Sequence, residues 1–263
     1  MPRPPARVLV ASALSAGTLL TASACLSTPP QAHAPLPTIP SSAPPTSASP
    51  SAPAAATTPG GLTTAQAQAA LVTEADLGDP WAPTQGAATW RDALLKATTN
   101  APDCRRLLDA LYADDLFGAG AEPRAATGLD DTMDEAQLRY QVLALPPADV
   151  DRTLTWLKSL PQKCARFTAV TERGTVQTVQ VTEAALPEVG DTRQGLRVTL
   201  TSETPDGDPT VLTLDVAAAR TGDDTIAVTN GGLGEVSPDI TNATLEVGAQ
   251  RLADVRKQGR AQV

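Results

Sequence analysis

Histidine is almost missing from this chain: His33 is the single example in 263 residues. It lies far upstream of the region that has the composition of a folded domain. That domain therefore has no imidazole. Ser-His and Cys-His nucleophile pairs are excluded from it, and so are imidazole-ligated metal sites. Acids and aromatics are absent from residues 1–61. Long apolar runs are absent as well. The run Val8 to Leu20 is broken by Ser12, Ser15, Gly17 and Thr18, and a membrane-spanning helix needs about 20 strongly apolar residues. Cysteine occurs only three times, at Cys25, Cys104 and Cys164.

What is present begins with a leader. Arg3 and Arg7 form a positive n-region, Val8 to Leu20 an apolar core, and Ala22-Ser23-Ala24 a small-residue cleavage site. Residues 1–24 thus read as a secretory signal. Cys25 follows at once, in the sequence Leu20-Thr21-Ala22-Ser23-Ala24-Cys25, which matches a bacterial lipobox. On that reading Cys25 becomes the first mature residue and carries a thioether-linked diacylglycerol. The competing reading is an ordinary signal peptide; Ala22 stands where a lipobox more commonly has Leu.

Residues 25–61 form the next region. From Ser27 to Gly61 the chain is nearly all Ala, Pro, Ser and Thr. Such a segment buries too little apolar surface to offset the entropy of ordering, so a disordered tether is expected. His33 falls within it and is expected to be solvated.

Residues 62–263 are long enough for one sizeable core. Setting aside Arg3 and Arg7 leaves 18 basic against 29 acidic residues, a net charge of −11. A domain so acidic repels phosphate backbones and shows no basic stripe, so nucleic acid is not an expected partner. With Cys25 lipidated, Cys104 and Cys164 remain. An exported domain sits where disulfides persist, and an even remainder of two predicts one bridge. Two reduced, buried thiols are the competing reading.

Periodicity outlines the fold. Leu62 to Leu77 reads as a helix with Thr63 or Thr64 as N-cap, stopped by Gly78-Asp79-Pro80. Thr89 to Ala97 reads as a second, short helix. Cys104, Leu107, Leu108, Leu111 and Tyr112 share one helical face. Ala119 to Leu129 reads as a weak strand, and Leu138, Tyr140 and Val142 alternate as a clear one. Pro146-Pro147 opens a helix faced by Val150, Leu154 and Leu157, which Pro161 is expected to end. Strands follow at Val176 to Val181, Leu196 to Leu200, Leu212 to Val216 and Ile226 to Val228, with turns between them, as an antiparallel meander. Ser237-Pro238 opens a last helix, and Gly231 to Gly234 reads as its flexible approach. The expected class is α+β, an antiparallel sheet packed against helices with one disulfide, after a signal peptide and a disordered linker.

Other chemistry is sparse. Ser159, Ser202 and Ser237 are the only serines of the domain, and none lies in a Gly-x-Ser-x-Gly elbow. Ser159 and Lys163 are one residue too far apart for a Ser-x-x-Lys pair. The glycines at 231–234 lack the Lys and Ser/Thr of a phosphate loop. Carboxylates cluster at Asp114-Asp115, at Asp130-Asp131 with Asp134-Glu135, at Asp206 with Asp208, and at Asp223-Asp224. Each coincides with an expected turn or helix end, and caps and turns are what such residues make there. Most aromatics fall on apolar faces. Trp81 and Trp90 lie outside the clearest stripes and are the candidates for stacking on a ligand. No catalytic residue, metal or cofactor is expected.

The order of these features resembles a family. Ala70-Leu71-Val72-Thr73-Glu74-Ala75-Asp76-Leu77-Gly78 with Trp81 close behind, Cys104-Arg105-Arg106-Leu107-Leu108, and Leu157 to Cys164 followed by Phe167 are three parts of the pattern. Gly190-Asp191-Thr192, the strand Leu196 to Leu200 and a final helix reaching Arg251-Leu252 complete it. Residues 62–258 are thereby similar to the extracytoplasmic sensor domain of PknH-type serine/threonine kinases and to actinobacterial lipoproteins related to it. The resemblance implies an α+β domain with an antiparallel sheet and a cleft, presumed to sense a ligand or partner. Kinase-linked members usually carry two disulfides, whereas this chain has cysteines for one, and no kinase domain follows here. The expected function is a non-enzymatic, lipid-anchored ligand- or partner-binding protein on the outer face of the cell membrane. Its expected partners are the membrane and a small molecule or an envelope protein. A carboxylate-based hydrolase of cell-wall glycans and a structural accessory of an envelope complex are the alternatives.

Overall fold

The computed structural model describes residues 61–261 except 134 and 205, with side chains through 259. The leader, Cys25, His33 and the tether to residue 60 lie outside the described residues. The chain first forms two short helices, α1 (Thr64–Ala69) and α2 (Glu74–Leu77). The single helix expected over 62–77 is thus divided. Thr63 caps α1, and Thr73 starts a second capping box with Asp76. Strong N-cap chemistry in mid-segment favours a restart over continuation. Gly78, with φ of 73°, ends α2 as expected.

Strand β1 (Trp81–Pro83) leads into a π-helical turn at Arg91–Leu95, where a short helix was expected. Then come β2 (Ala97–Thr98), α3 (Pro102–Ala113), β3 (Ala125–Asp131), β4 (Gln137–Ala144) and α4 (Pro147–Lys163). Pro161 lies inside α4 rather than ending it. The helix runs only two residues further, so the single hydrogen bond that proline removes falls in its last turn. The meander follows as β5 (Arg166–Thr171), β6 (Val176–Glu183), β7 (Thr192–Glu203), β8 (Pro209–Thr221) and β9 (Asp224–Leu233), and α5 (Pro238–Ala261) closes the chain.

All nine strands join one antiparallel sheet in the order β1-β3-β4-β9-β8-β7-β6-β5-β2. Period-two alternation divides its two faces. On β8, Leu212, Leu214, Val216 and Ala218 point to one side, into a core with α3 and α4. Ala217 and Ala219 point to the other, with Tyr140, Ile226, Val228, Leu245 and Leu252, where α5 packs. Cys104 on α3 and Cys164 at the end of α4 form the predicted disulfide, with a Cα–Cα distance of 5.6 Å. It ties the two helices together beside their buried leucines.

Gly231 and Gly232 are not a flexible approach to the last helix: both are buried inside β9. A Cβ on Gly231 would come within 3.0 Å of the Trp90 ring, and one on Gly232 within 3.1 Å of Ala136. Glycine is required there by close approach, not by flexibility.

Candidate functional site

On the α3–α4 side of the sheet, the ends of β3 and β4 are covered by the segment linking β1 to the π-helical turn. Two side chains hold that segment down. Asp130 accepts hydrogen bonds from the Thr84 hydroxyl, from Gln85 N at 3.0 Å and from Gln137 Nε2 at 2.9 Å. Gln137 also donates to Gly86 O at 2.8 Å, and its Oε1 accepts from Ala88 N at 3.4 Å. Burial disfavours charge on Asp130, but the bonds from Thr84, Gln137 and Gln85 outweigh it and hold the carboxyl below its usual range. It is a fixed carboxylate, unsuited to donating a proton.

Trp90 closes the site. Its indole N–H donates to Glu135 O at 3.3 Å, and its ring lies over Gly231. Glu135 itself adopts φ of 52°, a conformation uncommon for a residue with a side chain. Between these groups is a pocket of about 380 Å³, lined by Gln85 to Trp90, Asp130, Asp131, Glu135, Ala136 and Gln137. That volume lies in the range of small-molecule sites, and apolar walls with a few fixed polar groups match their usual make-up. A larger depression of about 630 Å³ lies between Lys158, Glu183 to Leu186 and Arg193 to Gly195, without an aromatic wall. A third, of about 570 Å³, is lined mostly by hydroxyls, from Thr175, Thr178, Thr201, Ser202 and Thr204. No group of three or more metal-binding side chains stands together among the described residues.

No family model matches the chain, and no curated protein does. Among solved structures, this chain is similar to the extracellular domain of PknH from Mycobacterium tuberculosis. The two are 19% identical, with a TM-score of 0.43, over 74% of this chain and 97% of that one.

The other residues singled out by sequence are dispersed. Trp81 is buried in the α5-side core, away from the pocket, whereas Trp90 forms one wall of it. Ser159 donates to Trp156 O, and Lys163 pairs with Asp103 at 3.0 Å, so the two are engaged elsewhere. Asp114 follows α3 in a left-handed conformation and pairs with Arg91 at 2.9 Å. Asp206 and Asp208 are exposed in the β7–β8 turn. Asp131 accepts from Met133 N in the β3–β4 turn; Asp134 lies outside the described residues. Asp224 is more than a turn residue. It is fully buried, accepts from Leu62 N at 3.1 Å and pairs with Arg256 at 2.6 Å. Gln137 was not foreseen as a site residue. It begins an alternating strand, but nothing in its neighbours foretold a partner, Gly86, 51 residues upstream.

Proposed function

We propose that this chain is a lipid-anchored extracytoplasmic binding protein, held by Cys25, whose pocket beside Trp90 takes a small, largely apolar molecule. The leader and lipobox support export and anchoring. The Cys104–Cys164 disulfide fits an oxidising compartment. The observation that carries the binding reading is the pocket itself. Its covering segment is tied to the sheet through Asp130 and Gln137, so the cavity is formed before any ligand arrives.

Its placement suits a tethered protein. The chain joins the domain at Leu62, whose N–H is held by Asp224 at the start of β9. Trp90 packs on Gly231, seven residues along the same strand and roughly 24 Å away at 3.4 Å per residue. A tether fixed at one end of β9 presents the pocket at the other.

Native mass spectrometry of protein taken from its source membrane tests the binding reading. A small molecule should co-purify and be lost when Ala88→Leu fills the pocket. Protein that is always unliganded, or that carries a stoichiometric protein instead, defeats it. For the anchor, Cys25→Ser should move the protein into the medium; retention in the membrane fraction defeats the lipobox reading.

A further inference from the structure

Buried and half-buried carboxylates are mostly matched to cations in this domain. Asp76, Asp103, Asp114, Asp215, Asp224 and Asp254 each pair with an arginine or a lysine. Asp130 is half-buried near the end of β3, yet it forms no ion pair among the described residues. Its partners are the Thr84 hydroxyl, Gln85 N and Gln137 Nε2, all neutral. Burial, and against it these three bonds, set its pKa; no charged side chain contributes. Neutral donors satisfy the oxygens of a carboxylate but leave its charge uncompensated, and charges removed from solvent are normally paired. A bridging water would be one more neutral donor and would leave the same charge. Asp115 also lacks an ion pair among the described residues, but it shares its surface depression with Arg106.

Asp130 opens onto a cavity that can hold more than water. It lines the pocket of about 380 Å³ beside Trp90, together with Asp131 and Glu135 and with no lysine or arginine. Ala87, Ala88, Ala136 and Trp90 make the apolar part of the lining. Asp130 Oδ1 already accepts two bonds, from Thr84 and Gln137. Oδ2 accepts one, from Gln85 N, and keeps a lone pair for a further donor. A divalent metal is a poor match. Such ions take about six or more oxygen ligands, and no three metal-binding side chains stand together among the described residues. An organic cation needs only one carboxylate and an apolar wall, and both are present. With 29 acidic against 20 basic residues, the chain also draws cations towards its surface.

We propose, on the reading that this pocket binds a small molecule, that its occupant is a primary amine. The ammonium group is held by Asp130 Oδ2, and an apolar body lies against the three alanines and the exposed edge of Trp90. A hydrogen bond between two charged groups is roughly twice as strong as a neutral one. Asp130 needs no rearrangement to make it, because Thr84, Gln85 and Gln137 already fix the carboxylate in place. A primary ammonium is favoured over a quaternary one, which has no N–H to give Oδ2. Trp90 keeps only 3% of its surface exposed, too little ring face to hold a cation by itself. An anionic ligand is disfavoured by repulsion from Asp130, Asp131 and Glu135 together.

The test is isothermal titration calorimetry of the full chain in nonionic detergent at neutral pH and constant ionic strength, corrected with a detergent blank. The probes are phenethylamine, its neutral counterpart phenethyl alcohol and the anion hydrocinnamate. The amine should bind about tenfold more tightly than the alcohol, as a charge-assisted bond exceeds a neutral one, and the anion should not bind. Asp130→Asn should bring the amine to the level of the alcohol while the alcohol stays bound. Ala87→Lys leaves every bond of Asp130 in place and brings a cation of the chain's own to the pocket; it too should remove the amine's advantage. It is the deciding variant if Asp130→Asn loses the alcohol as well. Equal binding of amine and alcohol, binding of the anion as tight as that of the amine, or an amine advantage that survives the deciding variant overturns the proposal and leaves the pocket standing. If no probe binds, or if Ala88→Leu leaves the binding of all three unchanged, the pocket reading falls and the proposal with it.

Discussion

The helices on the two sides of the sheet are held by different physics. On one side α3 and α4 meet it through Leu107, Leu108, Leu111, Leu157 and Leu160, and a covalent bridge joins the two helices. On the other side α5 packs through Leu245, Leu252 and Val255 and is fixed in register by ion pairs rather than by a covalent bridge. Arg251 pairs with Asp76 on α2 at 2.7 Å, and Arg256 pairs with buried Asp224 at 2.6 Å. Arg197 joins Asp215 and reaches Val236 O just before α5 begins. Tyr140 fits into the notch left by Gly248, where a Cβ would come within 2.5 Å of its hydroxyl. The first side resists unfolding through a constraint on the unfolded chain. The second depends on partners that must stay ionised and in register. One domain therefore has a side sensitive to reductant and a side whose ion pairs are more deeply buried than the exposed Lys163–Asp103 pair between α3 and α4, and so more sensitive to acid.

The largest expected effect comes from removing the bridge. Cys104→Ser with Cys164→Ser should cost about 4 kcal/mol in urea unfolding, from the entropy of a loop closed across 60 residues. A loss under about 1 kcal/mol would mean that the leucine layer alone holds α3 and α4. Next is Arg256→Met, which leaves Asp224 buried without its cation and should cost about 3 kcal/mol. Adding Asp224→Leu should recover much of that. If the double variant is no more stable than the single, charge is not what holds α5. Gly248→Val should cost about 2 kcal/mol by forcing Tyr140 from its notch. A neutral result would mean that α5 docks without that contact.

The smallest effect is the dependence on pH. Burial opposes ionisation of Asp76, but hydrogen bonds from Thr73 and the Arg251 guanidinium outweigh it and lower its pKa in the folded state. A depressed folded pKa adds stability that is complete above the unfolded value, about 3.9 for Asp. That stability is lost as pH falls through the folded value. Acidification from about pH 5 towards 2 should therefore loosen α2 from α5 before α3 separates from α4. Hydrogen exchange followed across that range reads the order directly; loosening of α3 and α4 first would reverse the comparison.

Much of this division was visible in the residues. Leu196, Val198 and Leu200 facing Leu212, Leu214 and Val216 announced β7 and β8, and the apolar stripe from Cys104 announced α3. Strand β5 was missed because its inward residues are Phe167, Ala169 and Thr171, too mixed to mark a face, while Val170 points outward. Gly231 and Gly232 read as a linker because glycine usually marks flexibility; only the approach of Trp90 and Ala136 explains them. The ion pairs of α5 join residues 175 and 32 positions apart. No local spacing encodes such pairs, so Asp224 looked like its turn neighbour Asp223. The pocket was half legible: Trp90 stood out as an aromatic off the main stripes. The roles of Asp130 and Gln137 required the loop to fold back on them.

The bond from Leu62 to Asp224 has a mechanical side. Whatever draws on the N-terminal segment, tension reaches the domain at Leu62. It passes to a carboxylate on β9, a strand flanked by β4 and β8 near the middle of the sheet. Arg256 shares the load by holding the same carboxylate to α5. A pull therefore bears on the sheet's interior and its longest helix together, and neither short edge strand, β1 or β2, is the first to be peeled away.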